Sequence, residues 1–181
     1  MKLGELIARG SRSTVHSWGT DAIAKVPLPT TPPAWLRYEA TYTAAVHASG
    51  APAQEFLGFA DHDGTTVSIY RRIRGENMWD AVLADPSRSA AEGRRLAAVQ
   101  VELASVSPPL ALPAQVDRMR AKIRAAERLL GANTAAAIDA VPPPTTHLLC
   151  HGDLHPSNVI LTADGPVLID WFDASRGEPL G

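Results

Sequence analysis

Three side chains near the end of the sequence carry the chemistry that the rest must position. In His151-Gly152-Asp153-Leu154-His155-Pro156-Ser157-Asn158 an acid and an amide stand five residues apart on one polar stretch. The apolar run Val159-Ile160-Leu161 follows, and a second run, Val167-Leu168-Ile169, ends in Asp170. Between the runs, Ala163-Asp164-Gly165-Pro166 is a turn signal, so the two runs fold back as a hairpin and return Asp170 to the side of Asn158. Asp153 can then accept a proton, while the oxygens of Asn158 and Asp170 suit a hard cation. Phosphoryl transfer asks for these groups, because its catalyst mostly positions reactants and neutralises charge.

A second feature lies far upstream. Only three of the 17 basic residues are lysines, and one of them, Lys25, sits in the short strand Ala22-Ile23-Ala24-Lys25-Val26, which Pro27 and Pro29 stop. Pro32 and Pro33 open a helix that Ser49-Gly50 closes. Its inward stripe reads Trp35, Leu36, Glu39, Tyr42, Thr43, Val46. A carboxylate inside an apolar stripe is costly unless paired, and Lys25 on the preceding strand is the available partner for Glu39.

The elements that must hold these groups follow from the same reading. Residues 1–28 form strands around the small polar loop Gly10-Ser11-Arg12-Ser13-Thr14-Val15. Glu55–Phe59 and Thr65–Tyr70 flank Asp61-His62-Asp63-Gly64 as a hairpin. Together they predict an antiparallel lobe of about five strands and one helix. Arg71-Arg72-Ile73-Arg74-Gly75 leaves the last strand as a solvated connector. From Met78 the pattern turns helical, with helices over Ala90–Val106 and Val116–Leu130 and a solvated basic face on the second, Arg118, Arg120, Lys122, Arg124 and Arg128. Leu148-Leu149-Cys150 is the strand that delivers the chain to Asp153.

Composition bounds the function. The chain has 181 residues, 45% hydrophobic and 20% charged, with a formal net charge of −2. That balance gives no reason to expect nucleic acid or an acidic membrane surface as partner. No apolar run approaches the ~20 residues of a membrane helix, and Gly4, Glu5 and Arg9 interrupt any signal-peptide core. A cytoplasmic protein is the expectation. The single cysteine, Cys150, excludes an internal disulfide and reads as a buried strand residue.

His151, Asp153, Asn158 and Asp170, at this spacing, resemble the catalytic loop and metal motif of the aminoglycoside phosphotransferase and choline kinase-like family. The resemblance runs in order through glycine loop, lysine, helix glutamate, connector, catalytic loop and metal aspartate. It implies an α+β, two-lobed protein-kinase-like fold, with residues 1–74 a nucleotide-binding β lobe and 75–181 a mainly helical lobe. It further implies ATP and Mg²⁺ as cofactors and a small-molecule hydroxyl compound as acceptor. Gly10, Ser11, Lys25 and Glu39 would serve the nucleotide phosphates, and the backbone at Arg72 and Ile73 would hold adenine. Asn158 and Asp170 would hold the metal, and Asp153 would act as catalytic base. Family members continue past the Asp-Trp pair for several helices, whereas Gly181 follows Asp170 by eleven residues, so the large lobe is expected to be C-terminally short. Two other classes stand beside this one: a nucleotide-binding module without transfer activity, and a metallohydrolase using the alternating His151, Asp153 and His155.

Overall fold

A computed structural model describes residues 2–178. The outermost residues of the two expected lobes, 1 and 179–181, lie outside the described residues. Strands β1 (Leu6–Arg9), β2 (Ser13–Trp18) and β3 (Ala22–Pro27) lead into helix α1 (Pro33–Ala48), and β4 (Phe56–His62) and β5 (Thr65–Arg71) follow. They form one antiparallel sheet in the order β1-β2-β3-β5-β4. The β4–β5 hairpin turns at Asp63 and Gly64, both at positive φ (51° and 77°), the backbone that a tight two-residue hairpin requires.

Alternation along the central strands decides what faces α1. Lys25 stands opposite Ser68 and Ile23 opposite Tyr70 in the β3–β5 register, on the face that α1 covers. Ala24, Val67 and Ile69 point the other way into a small cluster with Leu3, Trp18 and Val26. Helix α1 starts at a proline and ends at Ser49, as the sequence signals require. Its buried positions are Leu36, Ala40, Thr43 and Val46. Trp35, expected in the inward stripe, is exposed at the helix edge instead, where its ring meets that of Phe172.

After β6 (Glu76–Asn77) come α2 (Met78–Ala84) and α3 (Ser89–Ser105). Val99 and Leu103 of α3 are buried and Leu96 packs beside them. The expected helix over Val116–Leu130 is two, α4 (Gln115–Ala125) and α5 (Glu127–Leu130), broken at Ala126. The short α6 (Thr134–Asp139) precedes β7 (Leu148–Cys150), β8 (Val159–Thr162), β9 (Gly165–Leu168) and β10 (Ser175–Gly177). The main core joins Val46, Ala51 and Ala53 to Met78, Val99, Leu103, Leu149 and Trp171. The end of α1 is therefore anchored in the same core as the loops that follow β7 and β9. Among the described residues no helix is long and apolar enough to cross a membrane.

Candidate active site

Lys25 and Glu39 meet in an ion pair, with side chains only 11% and 12% exposed. Burial opposes the ammonium, but the carboxylates of Glu39 and Asp170 outweigh it and hold Lys25 above its ordinary value. Glu39 is also shifted up, because burial and the charge of Asp170 exceed the pull of Lys25. The lysine's direction is the one that matters for the site, since it keeps a protonated cation there at neutral pH. The pair lies in a small cleft of about 60 Å³ whose lining includes Gly10, Ser11, Lys25, Glu39 and Asp170. The turn above is fixed by Gly10 N–H donating to the Ser13 carbonyl at 2.9 Å and by Thr31 Oγ1 donating to the Arg12 carbonyl at 2.6 Å.

The loop after β7 is built around Gly152. Its φ is +81°, and a Cβ there would stand 2.2 Å from the carbonyl oxygen of Asp173, so only glycine lets the two segments touch. His151 braces the loop from inside. Its Nδ1 accepts from the Asp153 N–H at 3.3 Å, which leaves Nε2 to donate to the Ile169 carbonyl at 3.0 Å. Its ring packs on Trp171 at 4.5 Å, and burial pushes its pKa down, so it stays neutral. With both nitrogens engaged inside the protein, His151 has no lone pair for a metal. Among the described residues no three His, Cys, Asp or Glu side chains are placed to hold a metal ion. The metallohydrolase reading fails on that geometry.

Asp153 projects outward, its side chain 54% exposed, with His155 Nε2 at 3.7 Å. Asn158 is buried, and its amide nitrogen donates to the Asp153 carbonyl at 2.9 Å and approaches His155 Nε2 at 3.2 Å. Both amide hydrogens are thereby directed at the loop, which leaves the amide oxygen for a cation. The expected hairpin returns the chain as β8 pairs with β9, and the Ile169 N–H donates to the Asn158 carbonyl at 3.0 Å. Asp170 follows at once, in the left-handed region (φ 64°, ψ 61°), a conformation that costs a non-glycine residue on the order of 1–3 kcal/mol. Such strain is retained where the surroundings fix the residue's direction. Asn158 offers an amide oxygen and Asp170 a carboxylate, both hard oxygen donors on segments that β8 and β9 bring together. That set fits Mg²⁺, which keeps waters and substrate phosphates on its other positions.

Several supporting residues were not foreseen. Asn77 caps α2 by accepting from Trp79 N–H at 2.9 Å, and its amide donates to the Ser157 carbonyl at 2.8 Å, tying the loop to the helix. Two cations of the α4 face expected to be solvated converge on Asp173 instead, Arg118 at 2.6 Å and Lys122 at 2.8 Å. Arg72 and Ile73 do not line the Lys25 cleft. They stand on the connector after β5, where the Arg72 N–H donates to the Asp21 carbonyl at 2.9 Å. Arg71 and Arg74 pair with Glu55 and Asp21, as a solvated connector would.

This architecture recurs in solved structures. An aminoglycoside-3′-phosphotransferase of type VIII superposes with a TM-score of 0.67 at 18% identity, covering 97% of this chain and 72% of its own. The aminoglycoside phosphotransferase APH(3″)-Id from Streptomyces rimosus gives 0.62 at 18% identity, over 97% and 73%. The streptomycin–ATP ternary complex of APH(2″)-IIa gives 0.61 at 17% identity, over 98% and 69%. At these identities the likeness is one of fold: α+β, two-lobed and protein-kinase-like. No curated protein sequence matches the chain. The model of the phosphotransferase enzyme family, APH, matches residues 5–180, nearly the whole sequence, and the chain belongs to that family.

Proposed function

We propose that the chain transfers the γ-phosphate of ATP to a hydroxyl of a small molecule. The observation that carries the reading is the single cleft in which the Gly10–Ser11 turn, the Lys25–Glu39 pair and Asp170 face one another. Residues 1–74 serve as the nucleotide lobe and 75–181 as the catalytic lobe. Lys25, held by Glu39, lies against the phosphates, and the turn at Gly10 and Ser11 covers them. The connector at Arg72 and Ile73 offers backbone groups to adenine. Asn158 and Asp170 would hold Mg²⁺, which when bound supplies positive charge to the phosphate oxygens. Asp153 orients the acceptor and takes its proton. In the step itself, the acceptor oxygen forms a bond to the γ-phosphorus. The bond from that phosphorus to the β,γ-bridging oxygen breaks, ADP leaves with the electron pair, and the hydroxyl proton passes to the Asp153 carboxylate.

Support for a proton-accepting role comes from the placement of Asp153, solvent-facing on a loop whose His151 and Asn158 side chains are hydrogen-bonded inward. The test is transfer of radiolabelled γ-phosphate to a panel of hydroxyl compounds by wild type and Asp153→Asn. General-base loss typically lowers turnover by ~10²–10⁴-fold, with nucleotide affinity unchanged. A variant as fast as wild type removes Asp153 from the chemistry.

A further inference from the structure

A second concavity, open and of about 440 Å³, adjoins the phosphate cleft. Arg12, Trp35 and Phe172 line both, so the two share a wall. Its floor is aromatic. Trp35 and Phe172 lie 5.2 Å apart, and Tyr38 stacks on Tyr42 at 6.3 Å. A volume of this order and exposed ring faces suit a compound of one or two rings.

Its charge is what discriminates. Three cations line it, Arg12, Arg118 and Lys122, against one carboxylate, Asp173. That carboxylate is already taken, by Arg118 at 2.6 Å and Lys122 at 2.8 Å. Burial would raise its pKa, but the two cations hold it below the ordinary range, so it is an anion with its charge spent. Arg12 stacks over Trp35 at 4.9 Å and over Phe172 at 4.5 Å; its charge is felt by Glu39 in the neighbouring cleft, but it forms no salt bridge among the described residues. Stacking leaves the edge of its guanidinium, with its N–H donors, to a ligand. A polycation entering this space would meet like charge and no free carboxylate on its walls.

We propose that this pocket is the acceptor subsite, and that it takes a ring-bearing hydroxyl compound with a negatively charged group, selecting against polycations. The inference rests on the phosphotransferase reading above, and its hydroxyl enters the transfer step written there. Ring stacking supplies the contact area, the cations choose the sign, and Arg12 links the bound ring to the Gly10–Ser11 turn.

A matched pair of probes tests it on the full chain, with ADP and Mg²⁺ present. 3-(4-Hydroxyphenyl)propionate and tyramine carry the same phenol and opposite charges. Calorimetry is expected to give the anion an affinity at least ~10-fold higher, about 1.4 kcal/mol. Tyr38→Ala should weaken both probes alike and leave their ratio unchanged. Lys122→Glu should abolish the preference, and Lys122→Gln, which adds no repulsion toward Asp173, should reduce it about threefold. Tyramine or kanamycin binding as tightly as the propionate overturns the proposal, as does a ratio that neither Lys122 variant moves. Failure of both probes in a protein that still binds ATP with Mg²⁺ overturns the subsite alone. Failure to bind ATP overturns the nucleotide reading instead.

Discussion

Removing one partner of the Lys25–Glu39 pair should cost far more than removing both, and the two single losses should be unequal. At an effective dielectric constant of ~20, opposite charges ~4 Å apart attract by about 4 kcal/mol, and stripping one partner from a buried pair typically costs ~3–5 kcal/mol. Glu39→Leu leaves the ammonium buried but still facing Asp170, whose charge acts on Lys25. That residual attraction places its cost near ~2–3 kcal/mol. Lys25→Met is worse, because Glu39 and Asp170 then repel each other with only the weaker pull of Arg12 on Glu39 to offset it. We expect ~3–5 kcal/mol for it, falling as pH is lowered and Glu39 takes up a proton. The double variant Lys25→Met/Glu39→Leu should return to within ~1 kcal/mol of wild type, since apolar replacement of a buried pair is often neutral. Urea unfolding followed by circular dichroism measures all four proteins, with a coupling energy of ~4–7 kcal/mol as the expected result. Single variants within ~0.5 kcal/mol of wild type, or additive losses in the double, would refute the coupling.

Other expectations follow from single observations. Gly152→Ala should destabilise by at least ~2 kcal/mol in urea unfolding, from the positive φ and the clash with Asp173. Cys150 is buried and its thiol is pushed up to about 11, so the native protein should resist iodoacetamide at pH 8 and react once unfolded. Lys25 is raised above its unfolded value of 10.5. Its contribution should be complete below that pH and disappear as pH climbs through the higher folded value, a loss that alkaline unfolding curves of wild type, but not of Lys25→Met, should display.

The parts of the site legible in the sequence are those that violate a local pattern. Glu39 interrupts an apolar helical stripe, and a buried carboxylate requires a cation, which points to Lys25 on the preceding strand. Asp170 ends an apolar run after a turn signal, and hairpin geometry alone returns it to Asn158. What stayed hidden depends on residues far apart in the chain. Arg118 reads as one more cation on a basic helix face, and only folding places Asp173, 55 residues away, against it. Arg12 reads as a loop residue, because its stacking partners Trp35 and Phe172 come from separate segments. Trp35 sits at the stripe's edge and not in the core, and an aromatic ring at either place satisfies the same spacing. Ala126 breaks the helix between α4 and α5 although alanine is the best helix former, so no residue preference could have marked it.

Magnesium-dependent nucleotide binding tests the central claim most directly. ATP should be titrated calorimetrically into wild type and Asp170→Asn, each with and without Mg²⁺. Asparagine tolerates the left-handed backbone at this position, so the variant should keep its fold, as its thermal unfolding can verify. The account predicts that Mg²⁺ tightens ATP binding to wild type by tenfold or more, and that Asp170→Asn loses this gain while its metal-free affinity is not weakened. Equal affinities in wild type and variant with Mg²⁺ present, or no ATP binding by the folded wild type, would contradict it.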